Sequence, residues 1–244
     1  MTTKAKTETE AGTVIAIYER PAYAGEGRGS ETVGIEDLII PRIAIVQALS
    51  PERKKTDANY IPGAEEGMMF NSVTRELYPD SLLVVPVFFR KEFFLWKLRK
   101  EGGGFRGVFP SIEMAHDAAN KSEERVEIMD TYQQFVLVHN GVKWQEAVIS
   151  MSGSNGTVAK KWNSDIKLRE CDRFSLMYNL SAVSKTNQKG DFYIFKVEFK
   201  GWASKEVYSM GEQSYLAIKG GIRDVSRDYD TNERVPGSDD DLGF

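Results

Sequence analysis

Cysteine and histidine are almost missing from this chain: its 244 residues include one Cys, Cys171, and two His, His116 and His139. A disulfide framework needs cysteine pairs and a Cys/His zinc cluster needs several ligands, so a single chain builds neither. Long apolar runs are missing as well. The longest, "LLVVPVFF" at 82–89, falls far short of the ~20 residues that span a bilayer as a helix. The opening "MTTKAKTETEAG" lacks the apolar core of a secretory signal. The expectation is an intracellular protein with no membrane partner. Catalytic motifs are also wanting. "GGGFRG" lacks the Lys-Ser/Thr ending of a phosphate-binding loop, and "MSGSNG" holds no G-x-S-x-G elbow. Cys171 lies between Glu170 and Asp172, which would raise its thiol pKa rather than activate it. These absences point away from an enzyme and away from any cofactor or metal.

What is present is the composition of a globular chain, 41% apolar and 11% aromatic, with a segregated charge. The formal net charge is −4, but residues 224–244 carry seven acids against two arginines, which leaves +1 for residues 1–223. Residues 90–106 hold six bases against two acids, and residues 158–205 hold ten against five. Basic stretches in the body and an acidic tail are thus separated along the chain.

Turn signals and periodicity divide the chain into a disordered leader at 1–12, an N-terminal extension at 13–80, a domain at 81–221 and a disordered acidic tail at 222–244. "TVIAIYE" (13–19) reads as a strand, and an extended segment is expected around Ile43 to Gln47. "SLLVVPVFFRKEFFLWKLRK" (81–100) is a long β-rich run whose Pro86 suits an edge or a bulge. Glycines at 102–104 and 107 read as a loop, and Ser111 as the N-cap of a short helix. Asn140-Gly141 marks a hairpin, a helix follows from 154, and "TNQKG" joins a second hairpin. Residues 203–219 read as a last helix. Five strands with a helix between the third and fourth is the chain order of an OB-fold. The fold expected is therefore mainly β: an OB-like five-stranded barrel with the N-terminal extension packed on it and added helices.

Aromatic rings stack on any base, and Lys and Arg neutralise phosphates, so an interleaving of the two is what unpaired nucleic acid requires. "RKEFFLWKLRK" followed by "FR" has that composition. The phosphate candidates are Arg90, Lys91, Lys97, Arg99, Lys100 and Arg106, with Lys160, Lys161 and Lys196 elsewhere. The stacking candidates are Phe94, Trp96, Phe105, Trp144, Trp162 and Phe192. Strand parity puts Tyr193, Phe195, Val197 and Phe199 in the core, with Phe192 and Lys196 on the opposite face.

The end, "DDDLGF", resembles the acidic tip of bacterial single-stranded DNA-binding proteins, with Gly243 where that family usually has proline. The resemblance implies that Asp239, Asp240 and Asp241 act as an acidic element and Leu242 and Phe244 as an apolar anchor for replication and recombination proteins. The blocks "IPRIAIVQALSPE", "PGAEEGMMFNS", "LLVVPVFFRKEFFLW" and "AKKWNSDI" resemble single-stranded DNA-binding proteins of tailed bacteriophages. That implies a protein of the infected host's cytoplasm that coats single-stranded DNA during phage replication and recombination, and a homo-oligomer is compatible with it. Two alternatives stay open: a β-rich adaptor without DNA affinity, and a strand-annealing recombination protein.

Overall fold

In the computed structural model the described residues are 28–34, 37–188 and 190–222; the leader, the strand expected at 13–19 and the acidic tail from 223 lie outside them. Two short apolar runs on either side of the turn-rich "PGAEEG" become strands. With a two-residue partner they form a small antiparallel sheet in the order β1 (Ile43–Ile45), β2 (Met69–Asn71), β3 (Leu77–Tyr78).

The main sheet is built on β4 (Ser81–Lys97), 17 residues that include three valines and five aromatic side chains. It pairs with β6 (Val126–His139) along nearly its whole length. On its other side, Ser81–Val84 pairs with β8 (Leu176–Asn187), and 93–96 pairs with β5 (Phe105–Phe109). The strand is therefore central, not an edge. Pro86, which has no N–H to give, sits at a register shift between Pro86 and Phe88. The outer strands are β7 (Trp144–Ser152) and β9 (Gly190–Trp202), and the path runs β7-β6-β4-β8-β9 with β5 beside β4. β5 arises where a glycine loop was expected.

The β6–β7 turn is held by Asn140, whose Oδ1 accepts from the N–H groups of Val142 (3.2 Å) and Lys143 (3.0 Å), with Gly141 at φ +92°. Ser111 caps α1 (Ile112–Lys121), its hydroxyl accepting from Met114 N. α2 (Ser154–Leu168) joins β7 to β8, and α3 (Lys205–Lys219) closes the described chain. Gly211 in mid-α3 has a packing reason: a Cβ there would lie 2.5 Å from Phe174 Cβ. One core, including Val84, Val136, Ile149, Trp162, Tyr178 and Phe195, lies on the face covered by α2 and β1. A second, including Val85, Phe135, Leu137, Phe174, Val207 and Ile218, lies under α3.

Over the described residues the protein is thus mainly β, with antiparallel sheets and three α-helices, and its main sheet has six strands rather than five. The sheet does not close into a barrel. No ladder joins the edge strands β7 and β9; β1 and its flanks stand against both. Val148 N donates to Pro41 O (2.8 Å), and Arg42 bridges to Val148 in parallel sense. On the other edge, the buried Gln47 donates from Nε2 to Tyr193 O (2.8 Å) and accepts at Oε1 from Tyr193 N (2.9 Å). The residues after β1 thus satisfy an edge that would otherwise be open. Gln47→Ala leaves both Tyr193 backbone groups without partners, and the expected loss is about 1–3 kcal/mol, measured as a lower urea midpoint with unchanged m-value.

Candidate functional site

The rings expected to stack on bases are mostly interior. Phe94 and Trp96, in the part of β4 flanked by β5 and β6, are 3% and 5% exposed. They form a small cluster with Met129, and half-buried Phe105 packs edge-on against both rings, at 5.6 Å and 5.4 Å. Trp162, 3% exposed, lies in the main core edge-on to Tyr178. These three buried rings are corrections to the stacking role: they hold the fold, and of the three Trp162 alone also reaches the wall of a cleft, described below. Trp144 is half-buried beside the α3 core and edge-on to His139. Phe192 is half-buried on β9.

The cations of the same segment are mostly neutralised. Lys91 pairs with Asp130 (2.7 Å) and lies over the rings of Phe93 and Tyr132. Arg90 lies 3.5 Å from Glu92 and over the Phe135 ring. Lys97 (2.9 Å) and Arg106 both bind Glu124. Arg106 first and then Lys97 hold that carboxyl at about 2. Arg99 opens a 3₁₀ turn, Arg99–Glu101, in which Lys100 is exposed. Lys196, exposed on β9, pairs with Glu198 (2.8 Å). A cation already facing a carboxylate has less to gain from a phosphate.

A different surface keeps its charge. α2 carries one acid, Asp165, and its exposed face holds Lys160, Lys161 and Lys167, none with a described carboxylate partner. Asp165 is engaged internally. Arg169 binds it through Nε (3.0 Å) and Nη2 (3.1 Å), and Tyr178 donates its hydroxyl at 2.7 Å. Arg169 above all keeps the Asp165 carboxyl below its usual range; burial and the Asp165 bond push the Tyr178 hydroxyl up. The fork so fixed lays the Arg169 guanidinium on the Phe199 ring, 3.5 Å from its centre. Phe199 is 38% exposed and stands edge-on to Trp202, which at 60% is the most exposed large aromatic among the described residues.

Beside this group a cleft of about 650 Å³ opens between α2 and the β8–β9 hairpin, lined among others by Lys161, Lys185, Ile194, Lys196 and Phe199. Of the residues expected from sequence, the structure brings Lys161, Trp162 and Lys196 to this cleft; Lys160 lies on α2 with its Nζ over the Tyr132 ring of β6, and the 90–106 set lies elsewhere. Arg169, Lys185, Phe199 and Trp202 were missed. The Asp165–Arg169 spacing of four on a helix was a legible signal. Phe199 was assigned to the core by parity, but it lies near the end of an edge strand, beyond the cover that shields Phe195. The tail residues Asp239, Asp240, Asp241, Leu242 and Phe244 lie outside the described residues.

Among the described residues no group of three His, Cys, Asp or Glu side chains is placed to hold a metal ion, and no described helix is long and apolar enough to cross a membrane. Fold and surface together define a mainly antiparallel β protein with a cationic, aromatic flank. The chain belongs to the Pam3 phage gp34-like protein family, whose model matches residues 10–223. No curated protein and no solved structure matches it.

The Glu124 cluster carries a pH signature. Its carboxyl is stabilised in the fold, so the contribution is complete above about pH 4.5 and is lost as pH falls through about 2. Arg106→Ala removes the largest cause; the Glu124 midpoint followed by NMR should move up toward 4.5.

Proposed function

We propose that this phage-family protein binds single-stranded DNA with little sequence preference, coating strands exposed in replication and recombination, along the flank formed by α2 and β9. The observation that carries the reading is that Lys161 of α2, which has no described carboxylate partner, shares a cleft with the exposed Phe199, on which Arg169 lies and beside which Trp202 stands, while Lys160 and Lys167, also without a described carboxylate partner, extend the positive charge along the helix. Lysines without carboxylate partners release counterions when they meet phosphates, and open rings accept any base.

The strand path supports the same reading. Read as β4, β6, β7, β8 and β9 with α2 between the third and fourth, it follows the OB order, opened between the third and fifth strands with β1 set into the gap. OB-folds bind oligonucleotides across their second and third strands. Here Phe135, Leu137 and Val148 of those strands lie in the α3 core, so the proposed interface is displaced to the α2–β9 flank. In this reading the protein works without a catalytic step in the host cytoplasm. Asp239, Asp240, Asp241, Leu242 and Phe244 recruit replication and recombination proteins.

The exposure of Trp202 also suits a protein partner, which is the adaptor reading. Titration with oligo-dT separates the two, because an adaptor leaves tryptophan fluorescence unchanged. On the DNA reading Trp202→Ala weakens binding by about 1–3 kcal/mol and removes most of the fluorescence quench; undiminished affinity excludes Trp202 from the interface. Replacing Lys160, Lys161 and Lys167 with alanine should flatten the plot of log K against log salt by about 0.7 per lost phosphate contact. An unchanged slope places the backbone elsewhere.

A further inference from the structure

On one side of β4 the strand partners stop short of each other. β8 covers residues 81–84 and β5 covers 93–96, so residues 85–92 have no strand beside them on that side. The 3₁₀ turn Arg173–Ser175 packs against this gap. A cleft of about 1360 Å³ opens there between α2, the turn and α3, lined among others by Phe89, Asn163, Lys167, Arg173 and Tyr215.

Arg173 is the unusual member. It is largely buried, yet no described carboxylate pairs with it. Its Nη1 donates to Asn163 Oδ1 (3.2 Å) and its Nη2 to Gln134 Oε1 (2.6 Å). Its Nε is buried without a partner, and its guanidinium lies 5.8 Å from the Phe89 ring centre. Gln134 Nε2 also donates to Asn163 Oδ1 (3.0 Å). This network fixes both amide orientations: each oxygen must face a donor, so both acceptors are engaged on protein groups. What the network leaves over is donors and positive charge, namely the remaining guanidinium N–H groups and the Asn163 amide nitrogen, with Lys167 on the same wall. The two acids of the lining, Glu170 and Asp172, are both exposed, and Asp172 accepts from the Tyr208 hydroxyl (2.9 Å). A cation removed from water without a counter-charge is costly, and burial pulls Arg173 down to about 10, which still leaves it charged at neutral pH.

We infer that this notch is an oxyanion subsite, in which Arg173, Asn163 and Lys167 receive a phosphate group. The ligand supplies the negative charge that the fold withholds, and a planar guanidinium suits its oxygens. The inference does not need the DNA-binding reading, because either a backbone phosphodiester or a free phosphate offers the same chemistry.

The test is thermal unfolding of the full chain in sodium phosphate against sodium chloride of equal ionic strength, with inorganic phosphate as the probe. Phosphate at ten times its Kd should raise Tm by roughly 3–6 °C, and an equal Tm in the two salts overturns the proposal. Asn163→Asp places a carboxylate on the guanidinium within the same network. It should raise Tm in chloride and abolish the phosphate response, whereas a response equal to that of the unaltered chain overturns the subsite. Arg173→Gln should also lose the response, and Asn163→Asp decides the question if that variant does not fold. The source follows from oligo-dT. Weaker oligonucleotide binding by Asn163→Asp assigns the subsite to a strand phosphate. Unchanged binding with the phosphate response intact in the parent assigns it to a free phosphate or monoester.

Discussion

β4 sets most of what the rest of the molecule can do. Seventeen residues in one strand, paired with β6 from Leu83 onward and with β8 and β5 at its two ends, make a spine with partners on both edges. Phe94 and Trp96 are interior because Met129 of β6 and Phe105 and Val108 of β5 pack against them. Burying two large rings contributes several kcal/mol, and a strand that did so could not also offer them to a ligand. The gap between β8 and β5 follows from the same geometry, and the turn carrying Arg173 is what fills it.

The charges sort by the same rule. Near β4 and β6 the cations face acids supplied by neighbouring segments: Lys91 meets Asp130, while Lys97 and Arg106 meet Glu124. On α2 the single acid is bound by Arg169 and Tyr178, so the lysines around it have no carboxylate partner among the described residues. Local abundance of positive residues therefore misleads. A basic segment embedded in a sheet acquires partners from across the sheet, and an exposed helix with one neutralised acid does not.

This explains what could be read from the chain and what could not. The Asn140-Gly141 hairpin, the Ser111 cap, the two hairpins with α2 between them, and Pro86 at a bulge were legible because each depends on a few adjacent residues. The centrality of β4, the return strand β5 and the opening of the sheet were not, because they depend on which strands meet. Burial of Trp162 was legible in α2's own pattern, since Ala159, Trp162 and Ile166 recur at helical spacing on one face while Lys160 and Lys161 face the other way. Phe199 failed in the opposite sense: its parity was right for a core position, but the cover ends before it.

The pair of bonds from Gln47 to Tyr193 joins positions 146 residues apart. Chains whose final contacts are so distant pay a large loop-closure entropy before those contacts reward it, and they fold slowly. During synthesis β1 leaves the ribosome long before its partner on β9 exists. The seam between the sheet's two edges can be sealed only after Tyr193 has emerged, so it closes late in the maturation of the domain.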